Sequence, residues 1–206
     1  LMKNTEWGAV AYLSQNTTYG KGSEVWINPN SNFITGQAGS SVSASNTTST
    51  NAYNTTNGQN ASTTGNVTGI YDMSGGAWEY VAAYVNNGHS NLTDETLGKN
   101  VYEAEAKYKD VYQASSTSGS DSQSSNYNLS TPTNEKYGDA VYETSNNYTG
   151  STSWYSDFSR FPGSAYPFFG RGGICSDGSD AGLFGFGNGA GSLDSGISFR
   201  VVLPVM

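Results

Sequence analysis

The chain has 206 residues, with 9 Lys and Arg against 17 Asp and Glu, a net charge of −8. Scattered cations under an acidic balance cannot line a phosphate-tracking groove, so nucleic acid is excluded as a direct partner. Hydrophobic residues make up 35% and charged residues only 13%, with 15 Tyr and 26 Gly, which fits neither charge-rich disorder nor a chain of long regular elements.

Length suits one domain with a sizeable core. The expected class is α+β, loop-rich, a single domain over 1–206 with polar insertions at about 30–66 and 91–150 and a distinct segment at about 155–206. No apolar run approaches the eighteen or so residues that span a bilayer, and the first residues lack a signal-peptide pattern. "TEWGAVAYLS" (5–14) predicts a short helix with Trp7, Val10, Ala11 and Leu13 near one face, Glu6 in the first turn, and Asn4 or Thr5 as cap. "EVWINPN" (24–30) predicts a short strand stopped by Asn-Pro. The tract from about Asn30 to Asn66 is almost free of apolar residues and is expected to run over the surface.

"VTGIYDMSGGAWEYVAAYV" (67–85) predicts a strand, a Gly turn and a second strand. Its bulky Tyr71, Met73 and Trp78 are expected to nucleate the core. Gly75 and Gly76 permit positive φ at the reversal, and Asp72 and Glu79 are expected to hold loop backbone. Further on, "ETLGKNVYEAEAKYKDVYQA" (95–114) carries a helical stripe of Leu97, Val101, Tyr102, Ala104, Tyr108 and Val111. A shorter helix is expected in "NEKYGDAVYETS" (134–145), and "ISFRVVLPV" (197–205) predicts a closing strand.

Chemistry-bearing residues are few. Cys175 is the one cysteine; it forms no internal disulfide and no cysteine-rich zinc site, and is expected to be a small buried filler. His89, the one histidine, sits in a turn-forming "NNGHS", with no triad or zinc set around it. Eight Asn-x-Ser/Thr sequons, the first at Asn16, Asn46, Asn54 and Asn60, are what a chain this rich in Asn, Ser and Thr makes by chance.

"GIYDMSGGAWEYV" (69–81) resembles the "G-[LI]-Y-D-M-x-G-N-V-W-E-W" signature of the formylglycine-generating-enzyme-like branch of the C-type lectin fold. "TEWGAVAYLS" resembles its "W-x-D-A-x-A-Y-C-x-W-L" helix, "RGG" (171–173) its "RGGSW", and "SFRVVLP" its closing "GFRVV" strand. The resemblance implies that fold for about half the chain, with the long insertions matching nothing. It also implies a first strand and helix before Trp7, hence a segment upstream. The family's oxidases hold copper with two cysteines; one thiol cannot, so oxidase chemistry is not expected. The Glu-Pro-Asn or Gln-Pro-Asp and Trp-Asn-Asp motifs of calcium-dependent lectins are also absent. Asp177 and Asp180 of "DGSD" offer calcium oxygens, but without the ligand spacing of a known loop. No cofactor is expected, with a structural calcium ion as the alternative.

Composition then shifts. Lys, Glu, Gln, Met and Trp number 25 in residues 1–154 and none between Tyr155 and Val205, where about eight would be expected at the earlier frequency. None of the five has a codon ending in a pyrimidine, so the segment looks written in codons of that form. This resembles the variable proteins of diversity-generating retroelements, in which adenines of such codons are mutagenised within a C-type lectin scaffold.

That resemblance implies a fixed scaffold at Gly170, Arg171, Gly172 and Gly173, at Gly178, Ala181, Gly182 and Phe184, and at Ser198 to Leu203. Arg171 and Arg200 are expected to hold loops through backbone carbonyls. It implies ligand contact at Tyr166, Phe168, Phe169 and Ile174, at Ser176, Asp177, Ser179 and Asp180, and at Asn188, Ser192, Leu193, Asp194 and Ser195. Gly185 and Gly189 are read as products of the same variation. The expected function is a non-catalytic display domain for a protein or glycan ligand, outside the cell on a cell surface or virion. The alternatives are a relative of the formylglycine-generating oxidase and a structural pilus, fibre or surface subunit.

Overall fold

The structure, a computed structural model, describes residues 1–40, 51–114, 137–147 and 149–203. It is a mixed α+β protein with a mostly sheet core and few helices. Helix α1 (Asn4–Ser14) is followed by a two-stranded ribbon of β1 (Gln37–Ala38) and β2 (Asn51–Ala52). The main sheet contains β3 (Trp78–Asn86), β4 (Asp110–Gln113), β5 (Thr149–Ser151), β6 (Phe158–Arg160), β7 (Phe168–Arg171), β8 (Phe186–Gly189) and β9 (Ile197–Phe199). Its order is β4-β3-β7-β8-β6-β5, with β9 also on β3. The second helix, α2 (Lys99–Glu103), has five residues.

β3 is the axis of the sheet. β7 pairs with it antiparallel along one edge, while β9 and β4 pair parallel with successive parts of the other, at 78–80 and 83–86. Met2 fills the gap between these two: its N–H donates to the Arg200 carbonyl at 2.9 Å, and its carbonyl accepts from Ala82 N–H at 2.8 Å.

Alternation along β3 divides the side chains between two faces. Val81, Ala83 and Val85 join Trp7, Tyr112, Phe161, Phe169 and Phe186 in the main core under α1. Tyr84 joins Leu92 and Phe168 in a smaller cluster. In α1 the buried stripe is Asn4, Trp7, Gly8, Ala11 and Ser14. Leu13, expected on that face, is exposed, because at 3.6 residues per turn it lies roughly 120° from Trp7, off the buried stripe. A Cβ at Gly8 would lie 2.3 Å from the Gly138 carbonyl, so only glycine lets the 138–139 backbone pack there. Capping is partly tertiary: the Asp110 carboxylate accepts from Thr5 N–H at 2.8 Å, while within the first turn Glu6 accepts from Lys3 N–H at 2.8 Å. Asn4 lies inside the helix and Lys3 is its N-cap.

Buried arginine and tryptophan hold the core together. Trp7 is fully buried and its Nε1–H donates to the Leu183 carbonyl at 2.7 Å. The guanidinium carbons of Arg171 and Arg200 each lie 5.7 Å from the Trp7 ring. Arg171, also fully buried, donates to Asn4 Oδ1 (3.2 Å) and to the carbonyls of Asp139 (3.3 Å), Ala140 (3.1 Å) and Leu183 (3.3 Å). Its two terminal nitrogens tie helix α1 and two loops to one point, while Nε is buried without a hydrogen-bond partner. Arg200 donates to the Asp72 carbonyl at 3.2 Å and through Nε to Glu79 at 2.6 Å.

Several expected elements differ. Residues 67–77 form turns rather than a strand, with Asp72, Gly75 and Gly76 at positive φ. Segment 24–30 contributes only isolated bridges at Ile27 and Asn28. The helical stripe over 95–114 breaks into α2, a short 3-10 turn and β4; Val111 and Tyr112 leave the helix because the edge of β3 offers them backbone partners. Residues 137–145 form successive turns, and 134–136 lie outside the described residues. The closing strand spans Ile197–Phe199 and does not continue through 200–203, while 204–205 lie outside the described residues. Of the polar tract, 41–50 lies outside the described residues; the rest is anchored, with Trp26 N–H donating to the Asn60 carbonyl at 2.8 Å and Lys21 N–H to that of Thr63 at 3.0 Å.

Candidate ligand-binding face

The hub "IYDMSGGAWEY" divides its aromatics unexpectedly. Met73 is buried in the core, but Tyr71 and Trp78 are not core residues. Tyr71 stands edge-on to Tyr53, ring centroids 6.0 Å apart, and donates to the Tyr53 and Asn66 carbonyls. Asp72 does hold loop backbone, accepting from Gly36 N–H at 3.0 Å, whereas Glu79 pairs with Arg200. Burial raises both carboxyls above their usual range, opposed by these partners.

Trp78 and Tyr80 lie on the face of β3 opposite Glu79 and Val81, and they rest on glycines. A Cβ at Gly170 would lie 3.4 Å from the Trp78 indole, one at Gly187 3.3 Å from it, and one at Gly189 only 2.2 Å from the Tyr80 hydroxyl. The indole therefore lies across β7 and β8 on a floor without side chains. Phe158 meets it edge-on at 6.1 Å, and the Trp78 side chain helps lower the Asp177 carboxyl against burial, which raises it. Asp177 is fixed in turn by Ile174 N–H at 2.8 Å. Around this shelf a cleft of about 180 Å³ is lined by Trp78, Tyr80, Phe158, Arg160, Asn188 and Ile197.

The expected contact residues fall into several groups. Ile174, Asp177 and Asn188 are half-buried beside the shelf, and Ser192, Leu193, Asp194 and Ser195 form an exposed loop at its margin. Asp194 anchors that loop, its Oδ1 accepting from Gly196 N–H at 2.8 Å. Ser176 and Ser179 are exposed, while Asp180 accepts from the Ser151 hydroxyl at 2.8 Å on the β5 side. Tyr166 is exposed in the turn closed by Gly163, before β7 begins.

Phe168 and Phe169 do not belong to an exposed contact set. Both are buried, 2% and 0% exposed, because β7 is covered on both faces: Phe169 packs at 4.8 Å from the Tyr112 ring, and Phe168 packs with Tyr84 and Leu92. Gly189 is a structural requirement, and Gly185 sits in a tight place. A Cβ at Gly185 would lie 3.0 Å from the Gly182 carbonyl, and Gly189 carries Tyr80.

Trp78, Tyr80, Phe158 and Arg160 were absent from the expected surface. Strict alternation in "WEYV", with the aromatics at 78 and 80 and the core residue at 81, was the signal that could have found the first two.

The thiol of Cys175 is buried, and burial, then the Asp177 charge, pushes its pKa up. His89 is half-buried rather than exposed, its Nδ1 accepting from Asn91 N–H at 3.1 Å. Among the described residues, no group of three or more His, Cys, Asp or Glu is placed to hold a metal ion, and no helix is long and apolar enough to cross a membrane. Comparison with protein-family profiles, with curated proteins and with solved structures returns no match.

Proposed function

We propose that this protein is a non-catalytic ligand-binding module. In this reading a lectin-like scaffold of the formylglycine-generating-enzyme-like branch presents the outer sheet face and the 192–195 loop to a protein or glycan target outside the cell. The carrying observation is the shelf itself: Trp78, met edge-on by Phe158 on a glycine floor, beside exposed Arg160 and Leu193. A rigid aromatic surface next to polar and adaptable loop residues supplies contact area at little entropic cost. The scaffold is supported by the order of its matching segments, which fall on α1, on the turn entering β3, at Arg171 and on β9. Variation in the segment is supported by its codon-like composition and by the exposure of 192–195.

Sequencing the 3′ end of the gene across its source population tests this. Substitutions are expected at Phe158, Arg160, Asn188, Ser192, Leu193 and Asp194, and not at buried Phe169, Arg171, Phe184 and Phe186. An invariant segment, or one that changes as freely at Phe169 as at Leu193, would sink the idea of a diversified surface.

A further inference from the structure

A second cavity lies between α2, β3 and β9. Its volume is about 330 Å³, and Val81, Leu97, Val101, Phe168, Ile197 and Phe199 make it almost wholly apolar. Phe168, at its base, is buried, so the cavity has a floor inside the protein and opens at its rim. Leu193, 100% exposed, and Phe199, 65% exposed, stand at that rim.

Glycines hold the cavity open in one shape. A Cβ at Gly98 would lie 1.8 Å from the Phe168 ring, and one at Gly191, where φ is +95°, would lie 2.8 Å from Gly98 N. The start of α2, the Phe168 ring and the 191–193 loop are thus in close register, which is the condition for a preformed site. Hydroxyls of Tyr80, Ser192 and Ser198 are among its lining, and the frame fixes that of Tyr80. The Tyr80 hydroxyl accepts from Gly191 N–H at 3.1 Å, and burial raises its pKa, so it remains protonated. Its own proton has no acceptor among the described residues.

We propose that this cavity binds a small apolar molecule of bicyclic size that carries one hydrogen-bond acceptor directed at Tyr80. The volume is about twice that of the roughly 150 Å³ apolar cavity that takes up benzene. Apolar walls with one oriented donor select for shape and for that acceptor. The site is built partly from α2 and β3, outside the 155–206 segment, whereas Ser192 and Leu193 at its rim belong to that segment, so variation there would retune its affinity.

The probes are indanone, a bicyclic ketone, and indane, its hydrocarbon counterpart, titrated into the full chain by calorimetry and saturation-transfer NMR. Saturable one-to-one binding of indanone is expected. Tyr80→Phe should remove its advantage over indane, roughly threefold to tenfold for one hydrogen bond. Val101→Trp, which fills the cavity, should weaken binding on the order of tenfold or more. Leu193→Asp should weaken it too, and this fully exposed position leaves folding intact if Val101→Trp does not. Absence of saturable binding to the folded wild type overturns the proposal, as does equal binding by wild type and both cavity variants. So does a concentration-dependent dimer that shuts the probe out.

Discussion

Replacing Arg171 by methionine keeps much of its volume and removes its charge and all its donors. Three acceptors then lose a partner inside the core: Asn4 Oδ1 and the carbonyls of Asp139 and Ala140. The Leu183 carbonyl keeps Trp7 Nε1–H at 2.7 Å and is not orphaned. At about 1–2 kcal/mol for each unsatisfied buried acceptor, the loss is about 4 kcal/mol, a large share of the 5–15 kcal/mol typical of a domain. For a chain of this length that lowers Tm by roughly 8–16 °C. Differential scanning calorimetry measures it directly. Arg171→Lys should fall between, since one ammonium cannot serve acceptors spread over a planar fork. A methionine variant melting within about 3 °C of wild type would refute the network's role and make the buried charge a net cost, as happens when ion pairs are exchanged for well-packed apolar groups.

The remaining predictions concern pH, backbone and thiol. Burial, then the Glu143 charge, pushes the Asp139 carboxyl up to about 7, against the opposing Tyr112 hydroxyl. Its unfolded value is about 3.9, so the native state holds the extra proton between these limits. Stability is therefore fully present below about pH 4 and is lost as pH rises through about 7, by up to about 4 kcal/mol. Asp139→Asn should flatten that slope in urea titrations across the window, and an unchanged slope would show that Asp139 is not its source. Gly172→Ala combines a φ of +86° with a Cβ only 2.8 Å from the Met73 carbonyl, so a loss of about 2–4 kcal/mol is expected by chemical denaturation. Iodoacetamide should alkylate Cys175 in the folded protein at pH 7.5 at least about tenfold more slowly than after unfolding, because burial and Asp177 suppress the thiolate; mass spectrometry over time gives the ratio, and equal rates would contradict the buried environment.

The sequence made some of this fold legible and hid the rest for identifiable reasons. Helix α1 and β3 were readable because each has enough residues to express a period. Arg171 and Arg200 were readable as loop anchors through the family resemblance. The short strands β4, β5 and β6 were not: with three or four residues they show no alternation of their own and form where neighbouring backbone offers partners, whereas the closing strand was expected and β9 stands at its start. Trp78 was misread because a tryptophan beside glycines suggests a core nucleus, whereas here Gly170 and Gly187 form a floor under an outward-facing ring. Phe168 and Phe169 were misread because the segment that carries the exposed 192–195 loop also supplies the innermost strand pair, β7 and β8. Composition describes the whole segment and is blind to which side of a strand each residue takes.

The position of β3 bears on how the chain reaches this state. Its neighbours come from residue 2, from 110–113, from 168–171 and from 197–199, so almost none of its backbone is satisfied by nearby sequence. Closing loops of that length costs entropy before any pairing returns it, the situation that slows folding. On the ribosome β3 emerges more than a hundred residues before β9 and waits with its apolar side uncovered. Chaperone dependence and slow refolding are therefore expected to be set by this one strand, and to respond to changes at its partners more than to changes within α1.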